Sequence, residues 1–107
     1  MARHNEAIDR VAAAVLGTPG DTDPELRAAV ERYAAVLGGR PGDTAELPDD
    51  LRAYVEKVAR HAYKVTDADV DGLREAGYSE DAIFELTLAA ALGAAQARLS
   101  AGLDAMG

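Results

Sequence analysis

The stretch VTDADVDGLREAGYSEDAIFELTLAAALGAA, residues 65–95, decides the fold of this 107-residue chain. Thr66 followed by Asp69 resembles a capping box and predicts the start of a short helix. Gly77 predicts that this helix ends in the left-handed conformation that glycine adopts easily. Ser79 then predicts the N-cap of a long, alanine-rich helix. Two capped helices in succession, with no strand pattern between them, indicate an all-α protein.

Three more helices are predicted upstream of this stretch. Apolar residues recur at helical spacing over residues 5–16, and Gly17-Thr-Pro-Gly20 ends that pattern. Asp23-Pro24-Glu25 predicts the start of a second helix, which ends at Gly38-Gly39. A third helix begins at about Pro48 and buries the stripe Leu51, Val55, Val58, Ala62 and Val65. The prediction is a bundle of about five helices in one domain, with variable N-terminal helices and a loop over 1–47 and a helical core over 48–107.

Composition limits the possible partners and chemistry. A formal net charge of −8 argues against nucleic acid or an anionic membrane surface as the main partner. The chain has no cysteine, which excludes disulfides, thiolate metal sites and thiol catalysis. The N-terminus, Met1 to Arg10, is polar and lacks the apolar core of a secretion signal, so a cytoplasmic protein is expected. The apolar run Leu86 to Ala95 is shorter than the roughly 20 residues of a membrane span, so no membrane partner is expected.

The fifth predicted helix has two faces to bury. At about 100° per residue, one face consists mostly of large residues: Phe84, Leu88, Leu92, Ala95, Leu99, Leu103 and Met106. We expect this face to meet the domain's own core. The opposite face consists mostly of small residues: Ile83, Thr87, Ala90, Ala94, Ala97 and Ala101. Because a chain of this size buries a modest core, we expect a homo-oligomer formed through Ala90, Ala94, Ala97 and Ala101, although alanine is also simply the best helix former.

The order of caps, glycine stop and alanine-rich helix resembles the carboxymuconolactone decarboxylase and alkylhydroperoxidase-D-like superfamily. The resemblance covers about Leu51 to Met106, is clearest from Val65 to Leu103, and includes the arginine-leucine pair in Ala97-Arg98-Leu99. It implies the family's helical fold and a homo-oligomer, commonly a trimer or hexamer. The family's usual Cys-x-x-Cys-x-x-x-His motif and its upstream glutamate have no counterpart here, so the resemblance implies a cysteine-less, divergent member, and thiol-peroxidase chemistry is excluded.

These observations lead to a main hypothesis and two alternatives. The main one is a non-redox accessory, binding or assembly module that needs no cofactor. An alternative is a cofactor-free, decarboxylase-like enzyme that acts on a small carboxylated lactone by acid–base chemistry. A further alternative places a partner-binding element in the N-terminal half, around the loop from Gly38 to Pro48.

Three residues are the candidates for catalysis. His61 lies at the edge of the third helix's apolar stripe, where an imidazole can act as general acid or base, or can simply bind a carbonyl or water. Glu85 lies early in the most apolar helix and is the candidate partner of His61, although an acid in a first turn also stabilises the helix dipole. Arg98 can bind a carboxylate bidentately or pair with a surface acid. His4 and His61 are too far apart in sequence for a metal motif, so no metal site is predicted.

Overall fold

The computed structural model describes residues 20–44 and 46–106, and this part of the chain contains four α-helices and no strand. The helices are α1 (Pro24–Leu37), α2 (Asp49–His61), α3 (Asp67–Glu75) and α4 (Glu80–Met106), with a 3-10 turn at Ala62–Lys64 after α2. They correspond to the second to fifth predicted helices, and they confirm the all-α fold class. The first predicted helix, over residues 5–16, lies outside the described residues.

The predicted caps form as expected. The Asp23 side chain accepts a hydrogen bond from the Glu25 amide at 3.0 Å at the start of α1. Thr66 and Asp69 form both bonds of the capping box that starts α3. Gly77 ends α3 with φ of 105°, and the Ser79 hydroxyl then accepts from the Ala82 amide at 3.0 Å. These local signals fix where three of the helices begin and how α3 turns into α4.

The core lies where α1, α2 and α4 meet. Val30, Leu51, Val55 and Leu86 are completely buried there, one or two from each helix. Leu73 attaches the short α3 to the same cluster. Burying each of these branched side chains contributes about 2 kcal/mol. The core therefore joins all four described helices into a single unit.

The two faces of α4 are arranged in the opposite way to the prediction. Ile83, Ala90, Ala94 and Ala97 of the small-residue face are buried within the chain. On the large-residue face no residue is buried, and Phe84, Leu88, Ala95, Leu99 and Met106 are exposed. The prediction that the large residues meet the domain's own core is therefore wrong. Of the four alanines expected in a subunit interface, only Ala101 is exposed, and the homo-oligomer itself stays a prediction.

Gly93 shows why the small residues face inward. A Cβ atom on Gly93 would overlap the Glu31 carbonyl oxygen of α1 and would lie 3.0 Å from the Glu31 carbonyl carbon. One turn further on, a Cβ at Gly38 would lie 2.9 Å from that of Ala97. The backbones of α1 and α4 thus come so close that only glycine and alanine fit between them. The small residues do permit a close helix approach, and the helix that approaches is α1 of the same chain.

The length of α4 exceeds what the bundle covers. Its 27 residues span about 40 Å, and the longest dimension of the described molecule is 46 Å. From Arg98 to Met106 every residue except Leu103 is exposed. By length and composition α4 is long and apolar enough to cross a membrane. This is weak evidence for a membrane span, because the core helix of a soluble protein meets the same criterion.

Candidate functional site

A cleft of about 630 Å³ opens between α2 and α3, and His61 lies at one end of it. Small-molecule sites in proteins have volumes in this range. Its lining combines apolar side chains with three acids and three basic groups: Asp50, Ala53, Tyr54, Glu56, Lys57, Arg60, His61, Ala68, Asp69, Gly72 and Leu73. All three basic groups lie on α2, which also supplies two of the acids, Asp50 and Glu56, so this wall carries charges of both signs.

Two of these charged groups neutralise each other. The Lys57 ammonium donates to the Asp69 carboxylate at 2.8 Å, across the cleft from α2 to α3. This bond and the one from the Thr66 amide hold the pKa of Asp69 below its usual value. Asp69 is thus occupied as the second half of the capping box and as the partner of Lys57, which leaves Arg60 and His61 as the cleft's other basic groups.

His61 is exposed and sits at the last position of α2. Its ring meets the Tyr63 ring edge-on, with 6.0 Å between the ring centroids. The Glu56 carboxylate on the same helix accepts a hydrogen bond from the Tyr33 hydroxyl of α1 at 2.8 Å. Burial, and then this bond to Glu56, raise the pKa of Tyr33. Glu56 therefore connects α2 to α1 and is not hydrogen-bonded to the imidazole.

Glu85, the predicted acid partner of His61, lies elsewhere and holds the start of the described chain. Its carboxylate accepts from the Asp21 amide at 2.9 Å, from the Thr22 amide at 3.0 Å and from the Thr22 hydroxyl at 2.6 Å. The Thr22 hydroxyl, followed by the Asp21 amide, lowers the pKa of Glu85. Gly20 packs so close that a Cβ there would meet the same carboxylate at 2.6 Å. Nothing in the sequence indicated this contact, because its partners are 63 and 64 residues apart.

Arg98 binds the end of α2. Its guanidinium donates to the Ala59 carbonyl oxygen at 2.7 Å, one of the carbonyls that lie in the last turn of that helix. Thirteen residues separate Arg98 from Glu85 on α4, which places their Cα atoms about 20 Å apart. Neither residue lines the cleft. The three predicted catalytic residues thus occupy three places in one chain, and of the three His61 alone lines this cleft.

A smaller cavity of about 470 Å³ adjoins the loop between α1 and α2. It is lined by Tyr33, Thr44, Glu46, Leu47, Asp49 and Arg52. Arg52 pairs with Asp49 at 2.8 Å on its rim. Among the described residues, no group of three or more histidines and acids is placed to hold a metal ion.

The most extended exposed feature is a row of uncharged residues along α4. It follows a three-four spacing within an arc of about 80°, all its members are exposed, and we call it the α4 apolar face: Phe84, Leu88, Ala91, Ala95, Leu99, Gly102 and Met106. The sequence marked most of these residues as one face, and their outward orientation follows from the close packing of α1 on the other side. Contiguous apolar surface of this kind commonly marks an interaction site.

Comparisons with protein-family models, with curated proteins and with solved structures found none that matches this chain.

Proposed function

We propose that this protein is a non-redox binding or assembly module, built on a helical scaffold that resembles the alkylhydroperoxidase-D-like group. The observation that carries the proposal is the α4 apolar face. A small domain gains nothing in its own stability from large apolar side chains in water, whereas a partner that covers them gains the free energy of their burial.

The positions of the predicted catalytic residues support the same proposal. Glu85 accepts three hydrogen bonds from Asp21 and Thr22, and Arg98 donates to the Ala59 carbonyl. Both side chains therefore hold segments of the chain together. Neither lines the cleft beside His61, so an acid–base pair in that cleft would need a different partner for the imidazole.

A dye-binding experiment tests whether the α4 apolar face is an accessible binding surface. At about 1 μM protein, where weak self-association is negligible, a dye that fluoresces on apolar surfaces should bind the native chain. Leu88→Asp should reduce this fluorescence, while Ala101→Asp, an equal charge change on the same helix away from that face, should leave it unchanged. Equal dye binding by all three proteins would contradict the proposal.

A second candidate, a cofactor-free decarboxylase-like enzyme, is favoured by the cleft beside His61. Arg60 and His61 lie at one end of a cavity whose other walls include the apolar Ala53 and Leu73. A small ligand would place its carboxylate beside Arg60 and His61 and its apolar body against Ala53 and Leu73, since Lys57 is already paired with Asp69. In this version Arg60 binds the carboxylate, the bond that joins it to the ligand breaks to release CO₂, and His61 donates a proton to the carbon that keeps the electron pair.

Turnover of a small carboxylated lactone separates the two candidates. A rate above about 1 s⁻¹ that falls at least about tenfold in His61→Gln would establish the enzyme and overturn the binding module. Arg52→Gln is the matched control, because Arg52 is an exposed basic residue of the same helix that does not line this cleft. A rate that is unaffected by His61→Gln would refute the role of the imidazole.

A further inference from the structure

We propose that the α4 apolar face binds the same face of a second copy of this chain, with the two α4 helices antiparallel. This inference rests on the proposed binding or assembly function and names the partner. Three arguments support it: the pattern of residue sizes along the face, the absence of ionisable residues among its members, and the area that two copies would cover.

The order of residue sizes along the face is self-complementary in the antiparallel direction. If a two-fold axis passes α4 at the level of residue 93, Phe84 of one copy lies opposite Gly102 of the other. The same operation brings Leu88 opposite Leu99, and Ala91 opposite Ala95. A large ring thus meets the residue with no side chain, leucines meet leucines, and alanines meet at the centre, where the helices come closest. A two-fold interface requires this reciprocal match, since each patch must fit itself.

A parallel pair would not fit in the same way. Parallel helices in register bring each residue beside its own copy, so the two Phe84 rings would meet at one end and the two Gly102 residues would leave a gap near the other. Helices pack well when large side chains of one helix fill the spaces over small residues of the next. The sequence of sizes therefore selects the antiparallel orientation.

Charge does not oppose the contact. No member of the α4 apolar face is ionisable, although the exposed Asp81 lies one turn before Phe84 on the same side of α4. In the antiparallel pair Asp81 would lie at the level of Ala105 and Met106 of the second copy, where no acid of this face stands. Glu85 binds Asp21 and Thr22, and Arg98 binds the Ala59 carbonyl. Two copies of a chain with net charge −8 repel each other at long range, but this stretch of surface adds no local repulsion.

The area available predicts a weak dimer. Phe84, Leu88, Leu99 and Met106 are 64, 41, 38 and 82% exposed. At about 200 Å² for such a side chain when fully exposed, and with the small residues included, each copy offers about 500 Å². The total of about 1,000 Å² is at the lower limit for a specific interface. Association should therefore depend on concentration in the micromolar range.

Sedimentation of the full chain tests whether the partner of the α4 apolar face is a second copy of the chain. Between about 1 and about 300 μM the native protein should pass from monomer to dimer. Leu88→Asp should raise the dimer dissociation constant at least about tenfold, because it places a carboxylate opposite Leu99. Ala101→Asp should leave it unchanged, and it is the matched control because Ala101 is an exposed alanine on the other face.

Spin-label distances test the orientation, and the absence of cysteine allows each label a unique site. From the helical rise, copies labelled at Ser100→Cys should be about 20 Å apart, and copies labelled at Asp81→Cys about 37 Å apart. A parallel pair would place the two copies of each label at the same level, so the Asp81→Cys distance would fall below about 20 Å and would not exceed the Ser100→Cys distance. Short distances at both sites would overturn the antiparallel arrangement.

Other outcomes would assign the face to a different occupant and overturn the second copy as its partner. In one such outcome the protein stays monomeric at every concentration and a thiol reagent does not react with Leu88→Cys. This would mean that another segment of the same chain covers the face. Another is a monomer that sediments with phospholipid vesicles only when Leu88 is intact. A monomer that still binds the apolar dye would leave the binding module standing and refute the dimer, whereas lactone turnover would refute the module itself.

Discussion

The two sides of α4 have opposite compositions and opposite environments. The side that faces α1 consists of Gly93 and several alanines with Ile83 and Leu86, and it is buried. The side that faces solvent carries Phe84, Leu88 and Leu99, and it is open. In most amphipathic helices the larger apolar side chains are the buried ones. Here the distance between two backbones, and not the size of the side chains, decides which side is inside.

This difference has a physical cause. Close helix packing gains dispersion energy along the whole length of the contact, and it requires that no Cβ stands between the backbones. The Glu31 carbonyl lies where a Gly93 side chain would be. Rotating α4 by half a turn to bury Phe84 and Leu88 would force the helices apart and lose this contact. Large apolar residues on the side of α4 that faces solvent then either lower the solubility of the protein or form a surface that binds a partner.

The largest expected difference in stability between the two sides of α4 comes from two leucines that are two residues apart, Leu86 and Leu88. Leu86→Ala should lower the free energy of unfolding by about 3 kcal/mol, because Leu86 is completely buried and leaves a cavity. Leu88→Ala should lower it by less than about 1 kcal/mol, because that side chain is 41% exposed. Urea unfolding at a concentration where the chain is monomeric measures both. Equal losses would mean that the open side is covered within the monomer.

Glycine at position 93 provides the next test. Gly93→Ala should destabilise the fold by about 2 kcal/mol, since overlap with the α1 backbone outweighs the roughly 1 kcal/mol that alanine gains over glycine in a helix. Gly72→Ala is the control, because a Cβ there meets nothing within 4 Å and should stabilise α3. Thermal unfolding should therefore shift downward for the first variant and upward for the second. A stable Gly93→Ala protein would contradict the close packing of α1 and α4.

A smaller effect on stability is expected for the Glu85 carboxylate, in the second turn of α4. Glu85→Gln should cost about 1 kcal/mol at neutral pH, after allowance for partial exposure, because a neutral amide replaces the acceptor of three hydrogen bonds. The pKa of Glu85 is lowered in the folded chain, so its contribution is complete above about pH 4.5, the ordinary glutamate value. It is lost as the pH falls further, through the folded value. Unfolding curves of the two proteins should therefore converge below pH 4.5, and a constant difference would refute this role.

The local elements of the fold were predictable, whereas the orientation of α4 was not. Asp23, Thr66, Gly77 and Ser79 act on their immediate neighbours, so their spacing in sequence was enough to predict the caps. The periodicity of α4 defined two faces correctly. Which of them turns inward depends on the distance to α1, and a pattern within one helix contains no information about that distance. Gly93 was the available signal, because a glycine inside a helix costs about 1 kcal/mol and usually has a packing reason.

The candidate site shows the same limit. His61 was expected at the edge of the apolar stripe of its helix, and it lies exposed at the end of a cleft. Its partner was sought on α4, but Glu85 faces Thr22 and Arg98 faces Ala59. Both contacts join residues that are at least 39 apart in sequence. Charged side chains without a motif give no indication of such distant partners, so their structural roles appeared only in the folded chain.

The smallest expected effect lies at the border between the two sides of α4. Arg98→Met keeps much of the side-chain stem but removes the bond to the Ala59 carbonyl, and it should cost about 0.5 kcal/mol, or a fall of about 3 °C in Tm. Arg52→Met is the control, because Arg52 makes an exposed pair with Asp49 on its own helix and should contribute little. If Arg98→Met unfolds at the same temperature as the native chain, the bond to α2 adds nothing to stability. The guanidinium would then be available to a ligand or a neighbouring chain, and its positive charge, no longer held against α2, could turn toward the second copy in the antiparallel pair.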